Sequence, residues 1–298
     1  MDKSTRSVSG PNPAEGIRGT APLRVIVLAG GKAGADPLAQ AFGMSHRCLI
    51  PLAGRPLVAH VLQIAALHPA VESLAVSVER EAFEGLFDVL SQLPGRGIVK
   101  LVEARENIVD SVQAAAQGWD GPLLITTADH ALLSAGSIDA MIEALGAAGG
   151  AQVAVAMARR ETVRSANPDD TLLFHEFADD AYASCNLYAL AGPDALAAAQ
   201  VFRGGGQFAG NAWRVMRAFG FVNLVLLRLR AVTLADAMVR VSARLGLRIA
   251  PVVLDDGSQA LDVDDVNTHA LAERLLEARA GLAGAASKNP AKTWRALG

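Results

Sequence analysis

Apolar and polar positions follow one another along the chain in a rhythm of strands and helices. The first apolar run, Leu23–Leu28, lacks polar alternation, which indicates a strand buried on both faces. The strands predicted in this first part are Leu23–Leu28, Ser73–Val78, Ile98–Val102, Leu123–Thr127 and Gln152–Ala156. Helical spacing lies between them at Pro56–Leu67, Arg80–Leu90, Ile108–Gln117 and in a helix from about Ser137, with Ser137 as its cap. This order predicts a mostly parallel sheet covered by helices on both faces.

The rhythm changes after Arg160. Two extended strands, Thr171–Phe177 and Tyr182–Leu190, are predicted on either side of an acidic turn. Helical patterns follow, including Thr233–Leu245 with Thr233 as its cap, and the chain closes with a strand, Leu247–Leu254, and a helix, Asn267–Ala278. We therefore expect a three-layer α/β/α fold with a smaller lip of strands and helices.

We expect one folded domain over residues 23–282, divided into an N-terminal half (about 23–160) and a C-terminal half (about 161–282). Residues 1–22 are rich in Gly, Pro and Ser and predict a disordered leader. Residues 283–298 predict a flexible tail.

The composition limits the classes of function that the chain can have. The net charge is −3 and the pI is near 6.1, so the chain lacks the basic field of a nucleic-acid binder. Two cysteines, Cys48 and Cys185, form no disulfide framework, which fits a reducing cytoplasm. The apolar segment Phe219–Arg230 is too short to span a membrane. It leaves open a peripheral contact with the inner membrane surface, a core helix or a homodimer interface.

A glycine pair follows the first strand. Gly30 and Gly31 let the chain turn and let a ligand approach backbone N–H groups, although an ordinary strand-to-helix turn would also use them. Neither a dinucleotide fingerprint nor a P-loop fits the spacing. The long loop that follows predicts a broad phosphate-binding segment whose cations are Lys32 and Arg47.

Acidic residues occur at two predicted strand ends. Asp129 follows Leu123–Thr127, at the sheet edge where open α/β sheets bind ligands. Asp262–Asp265 reads DVDD, and alternation places Asp262 and Asp264 on the same side. Capping of neighbouring turns is the structural alternative. Because carboxylates beside phosphates favour Mg²⁺, we expect the metal to be held by Asp129 together with Asp262 or Asp264.

With these residues in place, the pattern resembles the MobA-like nucleotidyltransferases of the GT-A-type fold. The resemblance rests on LAGG (Leu28–Gly31), RCLIPLAGRPLVAHVL from Arg47, TTADH around Asp129 and LDVDDVNTHALAERLL from Leu261. It implies that the backbone of Leu28, Ala29, Gly30 and Gly31 holds the nucleotide. It also implies that residues 23–160 form a nucleotide half, in which Ser111 touches the base, and that residues 161–282 form an acceptor half that contains Asn186. This chain departs from the family by Lys32 in place of arginine and by Arg47 in place of lysine.

The implied reaction is the transfer of NMP from an NTP, with CTP weakly favoured, to a phosphorylated small molecule or lipid precursor. Lys32, Arg47 and Mg²⁺ would stabilise the departing pyrophosphate. Arg214 would contact the acceptor phosphate. Two alternatives stay open: a GT-A glycosyltransferase that uses a nucleotide-sugar, and a nucleotide-binding homologue with weak catalysis.

Overall fold

The computed structural model describes residues 21–31, 36–94, 98–147, 149–169, 172–196, 226 and 228–287. The strands among them are β1 (Leu23–Leu28), β2 (Pro51–Leu52), β3 (Arg55–Pro56), β4 (Val71–Val78), β5 (Ile98–Glu103), β6 (Leu123–Thr127), β7 (Val153–Arg159), β8 (His175–Glu176), β9 (Ala181–Leu190) and β10 (Ile249–Leu254). The helices are α1 (Pro37–Ala41), α2 (Leu57–Leu67), α3 (Phe83–Ser91), α4 (Ile108–Ala116), α5 (Ala135–Gly146), α6 (Arg160–Ala166), α7 (Leu234–Leu245) and α8 (Val266–Ser287).

One sheet of eight strands runs through both halves of the chain, in the order β10-β7-β9-β6-β1-β4-β5, with β8 paired to β9. All neighbouring pairs are parallel except those that involve β9, which runs antiparallel to β6, β7 and β8. The mostly parallel α/β fold predicted from the sequence is therefore confirmed. The carboxyl ends of the parallel strands meet at one edge.

Helices cover both faces because the apolar side chains of the central strands alternate between them. Val25 and Val27 of β1 belong to the core that contains α2, α3 and α5. Ile26, between them, belongs to the core under α4. All three side chains have no exposed surface, as expected for a strand without polar alternation.

Several elements differ from the prediction. The cap of α5 is Ser134, whose Oγ accepts the N–H of Ser137, so the predicted cap, Ser137, lies inside the first turn. The predicted strand Thr171–Phe177 is much shorter in the structure, where only β8 (His175–Glu176) is a strand. The last helix continues to Ser287, beyond residue 282, where the sequence places the end of the domain.

The hairpin β2–β3 links the N-terminal half to α8. Its turn uses Ala53 and Gly54, both at positive φ. His269 Nε2 donates to the Pro51 carbonyl over 2.7 Å, and the N–H of Ala53 donates to Glu273 over 3.1 Å. The last helix is therefore held against a loop that follows the first strand.

Three features of the sequence analysis fall outside the described residues, either wholly or largely: Lys32, Arg214 and the segment 219–230.

Burial raises the pKa of the Cys48 and Cys185 thiols to about 12, with nearby carboxylates adding to the effect, so both stay protonated. Among the helices that the structure describes, none has the length and apolarity to cross a membrane.

Candidate active site

The predicted acidic residues converge at the carboxyl edge of the sheet. Asp129 lies just after β6, and the N–H of Ala128 before it donates to the carbonyl of Leu28 of β1 over 2.9 Å. The DVDD segment does not follow a strand directly as predicted, because the 3₁₀ turn Gly257–Ala260 lies between it and β10. It precedes α8, and the N–H of Val263 donates to the Asp129 carbonyl over 3.1 Å. This backbone bond holds the two acidic segments together.

Arg47 lies among the carboxylates. Its Nε donates to Asp36 Oδ2 over 2.6 Å, and its Nη1 donates to Asp129 Oδ2 over 3.2 Å. The same Nη1 also donates to Asp264 Oδ1. The arginine predicted to contact phosphate therefore bridges three acids from three segments of the chain. Burial lowers the pKa of Arg47, but these carboxylates outweigh it and leave that pKa raised.

Asn186 connects β9 to the acidic cluster. Its side-chain amide donates to Asp262 Oδ2. The residue has φ of 46°, in the left-handed region that asparagine tolerates better than most side chains. It lies in a bulge, because Val155 of β7 pairs with Tyr188 while Met157 pairs with Ser184. The bulge turns the amide towards the acids.

Burial and mutual repulsion shift the titration of the buried acids upward. Burial raises the pKa of Asp129 and the charge of Asp264 adds to this, while the neighbouring Thr127 hydroxyl and, to a smaller extent, Arg47 oppose the shift. Burial raises the pKa of Asp262 well above its usual range, and Asp129 and Asp264 add to this, while the hydrogen bond from Asn186 lowers it. A positive charge placed beside these two carboxylates would stabilise their ionised forms.

The donor set fits a magnesium ion. Asp129 Oδ1 and Asp262 Oδ1 are both buried without a hydrogen-bond partner. No group of three or more acids, cysteines or histidines in the described part of the chain is arranged to chelate a metal by itself. Mg²⁺ commonly takes one or two carboxylates and completes its shell with water and substrate phosphates, so two free carboxylate oxygens are sufficient.

The glycine segment differs from the open phosphate cradle that the sequence predicts. The N–H of Gly31 donates to Glu79 Oε1 over 2.8 Å. A Cβ on Gly30 would lie 3.2 Å from both Ala104 Cβ and Glu79 Oε1, so close packing accounts for the missing side chain at Gly30. The N–H of Ala29 donates to Ser77 over 2.8 Å. The backbone groups of Leu28 and Ala29 thus make hydrogen bonds within the sheet, and the Gly31 N–H is hydrogen-bonded to the Glu79 carboxylate.

Ser111 lies near this segment, with its hydroxyl already engaged. Its Oγ accepts the N–H of Arg105 over 2.9 Å and donates to the Asn107 carbonyl over 3.1 Å, and the residue is buried. In this structure Ser111 therefore supports the loop after β5. A base that accepts a hydrogen bond from Ser111 would have to displace the Asn107 carbonyl, whereas a base that donates could use the second lone pair of the hydroxyl.

The structure thus brings together Arg47, Asp129, Asn186, Asp262 and Asp264. Two further acids, Asp36 and Glu79, were missed by the sequence analysis. Glu79 directly follows β4, and Asp129 lies two residues after β6, so the signal of an acid at a strand end was present for Glu79 as well. Asp36 precedes Pro37 and caps α1, which is a helix-start signal and carries no indication of a site.

Comparisons with known proteins identify the family and the fold. The family model described as the MobA-like NTP transferase domain matches residues 25–199. The bifunctional protein GlmU of Novosphingobium aromaticivorans is 33% identical over 149 residues, which is 48% of this chain and 30% of that protein. A hypothetical transferase from Thermus thermophilus has a TM-score of 0.67 at 20% identity and covers 84% of this chain and 100% of its own. The 4-diphosphocytidyl-2C-methyl-D-erythritol synthase of Anaerococcus prevotii has a TM-score of 0.55 at 10% identity. The match covers 86% of this chain and 96% of that protein's chain.

Proposed function

The chain belongs to the family of the MobA-like NTP transferase domain, and on that premise we propose that it transfers a nucleoside monophosphate from an NTP to a phosphorylated acceptor. In this reaction an acceptor phosphate oxygen attacks the α-phosphorus of the NTP. The bond between the α-phosphorus and the bridging oxygen breaks, and pyrophosphate leaves. Transfers of this kind depend on positioning and on charge neutralisation, so no general base is required.

The observation that carries the proposal is the pair of buried, unpartnered oxygens, Asp129 Oδ1 and Asp262 Oδ1, beside the Arg47 guanidinium. We assign these two carboxylates to Mg²⁺, which supplies positive charge to the phosphates when it is bound. Asp264 is the more exposed acid, with a side chain 62% accessible, and it is already paired with Arg47. This favours Asp262 over Asp264 as the second metal ligand.

The remaining residues orient the substrates. Arg47 would neutralise charge on the departing pyrophosphate, and we assign the same task to Lys32 from the sequence. Asn186 donates its amide to Asp262, and we assign it to the acceptor side of the cluster. Because its amide donates to that carboxylate, Asn186 would position Asp262 and would approach the acceptor at the same edge.

CTP is the donor that we favour. The 4-diphosphocytidyl-2C-methyl-D-erythritol synthase with a similar fold supports a cytidyl donor, at 10% identity. The acceptor that we propose is a phosphorylated small molecule or a lipid precursor. We place the reaction in the cytoplasm, since two protonated cysteines without a disulfide suit a reducing compartment.

The test is the thermal unfolding midpoint of the full chain with ATP, CTP, GTP and UTP in turn, each with and without Mg²⁺. A ligand at a hundredfold its dissociation constant adds about 2.7 kcal/mol of stability, which is readily measured. We expect one triphosphate to raise the midpoint only with Mg²⁺, and we expect Asp129→Asn to lose that rise. Asp88→Asn removes a carboxylate on the exposed surface of α3 and should keep it.

Pyrophosphate release with candidate acceptors then measures turnover. Binding without any release would favour the homologue with weak catalysis. A midpoint that responds to a nucleotide-sugar and to no triphosphate would contradict the proposal and favour the glycosyltransferase.

A further inference from the structure

Arg47 occupies a position that the proposed reaction does not by itself explain. A cation that binds only phosphate would lie free at the edge of the site until the nucleotide arrives. Here the guanidinium pairs with three carboxylates, those of Asp36, Asp129 and Asp264. Its side chain is only 30% exposed, so these are partly desolvated contacts and not a surface ion pair.

The three contacts are not equivalent. Asp36 takes Nε over 2.6 Å, while Asp129 and Asp264 share Nη1. The other terminal nitrogen, Nη2, makes no hydrogen bond with any residue in the described part of the chain. Asp36 can therefore keep its bond to Nε while the two terminal nitrogens exchange partners.

Asp36 is itself firmly placed. It is the N-cap of α1, with Oδ1 accepting the N–H of Ala39 over 2.9 Å, and Pro37 follows it. Burial raises its pKa, but the bonds from Ala39 and Arg47 more than reverse this and leave that pKa lowered. A capped, ionised carboxylate is a fixed anchor for a guanidinium.

We propose that Arg47 is the resident counter-ion of the acidic cluster, tethered by Asp36, and that its charge keeps metal binding weak until a phosphate takes its terminal nitrogens. Asp36 is thus a positioning residue that acts through Arg47. The inference rests on the proposed function, since it takes a metal–triphosphate complex as the ligand.

The reason is charge balance. Asp129, Asp262 and Asp264 together attract a divalent ion, but Arg47 pairs with two of them and repels an ion that binds their remaining oxygens. A triphosphate brings negative charge of its own, which gives the terminal nitrogens of Arg47 a new partner. The metal and the triphosphate should therefore bind cooperatively.

The experiment is a titration of the full-length protein with Mn²⁺ alone, followed by electron paramagnetic resonance of the free ion. We expect Arg47→Gln to bind Mn²⁺ about tenfold more tightly than the wild type, because a repelling charge is removed. Arg55→Gln is the matched control: Arg55 is exposed and donates to Gln63, and its loss should leave the affinity unchanged.

Asp36→Asn tests the ion pair between Asp36 and Arg47, and it should change the Mn²⁺ affinity in the opposite direction to Arg47→Gln. Asparagine keeps the N-cap of α1 but no longer draws Arg47 by charge, so Arg47 should pair more fully with Asp129 and Asp264. We expect this variant to bind Mn²⁺ about two- to threefold more weakly than the wild type. Damage to the fold would weaken Mn²⁺ binding in both variants. Tighter binding by Arg47→Gln together with weaker binding by Asp36→Asn therefore supports the role of Arg47 as the counter-ion.

The proposal is overturned if Arg47→Gln binds Mn²⁺ no more tightly than the wild type. Should Arg47→Gln fail to fold, Arg47→Lys keeps the charge and must stay within about threefold of the wild type, while Asp36→Asn must still lose affinity. The proposed function fails separately: no triphosphate would then raise the unfolding midpoint, whatever the Mn²⁺ titrations give.

Discussion

Asn186 combines two properties that rarely serve stability together. Its backbone lies in the left-handed region with φ of 46°, and its amide donates to a carboxylate that is itself crowded by two other acids. Residues held in such conformations are concentrated at functional sites, where the neighbouring structure imposes them. The bulge in β9 is the local cause, and the aim of the amide at Asp262 is its consequence.

Two substitutions separate the backbone of Asn186 from its amide. Glycine relieves the left-handed strain, whereas alanine keeps it, and both remove the amide. We expect Asn186→Gly to be more stable than Asn186→Ala by about 1 kcal/mol, measured by urea unfolding. Pyrophosphate release should fall to a similar extent in both. Equal stability of the two variants would contradict the strain.

Individual acids were predictable where each follows a strand. Asp129 was found in this way, because the end of a parallel strand places a side chain at the ligand edge. Asp262 was named for the same reason, but the 3₁₀ turn Gly257–Ala260 separates it from β10, so its place at the edge depends on that turn. The pairing of Arg47 with Asp36 was not predictable, since it depends on how a loop between β1 and β2 folds back. The bulge at Asn186 was also beyond reach, because the sequence of β9 carries no glycine to mark it.

At the scale of elements, a 3₁₀ turn, Gly257–Ala260, comes just before the DVDD segment in the chain and packs against α6. Gly257 touches the backbone of α6 so closely that a Cβ there would lie 2.1 Å from the carbonyl carbon of Thr162. Glycine is required at this position by close approach, and its φ is not positive.

A pair of glycine substitutions tests this contact. Gly257→Ala should destabilise the protein by about 2–3 kcal/mol, because backbone must move to make room. Gly136→Ala lies within α5, where only the Ser134 hydroxyl approaches the new methyl group, at 4.0 Å, and it should stabilise by about 0.5–1 kcal/mol. Thermal unfolding measures both. A harmless Gly257→Ala would refute the close packing.

Elements with a clear apolar pattern were predictable. The strands β1 and β6 match their predicted bounds because each contains a short apolar run, and α4 ends one residue before its predicted end because its apolar positions follow the helical period. The hairpin β2–β3 and helix α1 were missed, since they contain neither an apolar run nor a complete helical period. The cap of α5 was misassigned between two serines three positions apart, which the same signal fits.

At the scale of the whole molecule, β9 joins the two predicted halves. It comes from the acceptor half and lies between β6 and β7, both from the nucleotide half, with which it makes antiparallel ladders. The rhythm of elements predicted a mostly parallel sheet, but not this order of strands. Strand order depends on which distant segments pair, and local sequence patterns do not encode that directly.

One continuous sheet implies one cooperative unit. We expect a single calorimetric transition whose van't Hoff and calorimetric enthalpies agree, because neither half can unfold without breaking the ladders of β9. Limited proteolysis should likewise release no stable fragment that ends between β7 and β9. Two separate transitions would show that the halves fold independently.

The ion pair between Arg47 and Asp264 joins residues 217 positions apart in the chain. A ribosome adds about 5–20 residues each second, so Arg47 is made well before its last partner exists. During that interval Asp36, only 11 positions away, is the partner within reach. Asp36 is therefore the first of the three carboxylate partners of Arg47 to be synthesised, and Asp264 is the last.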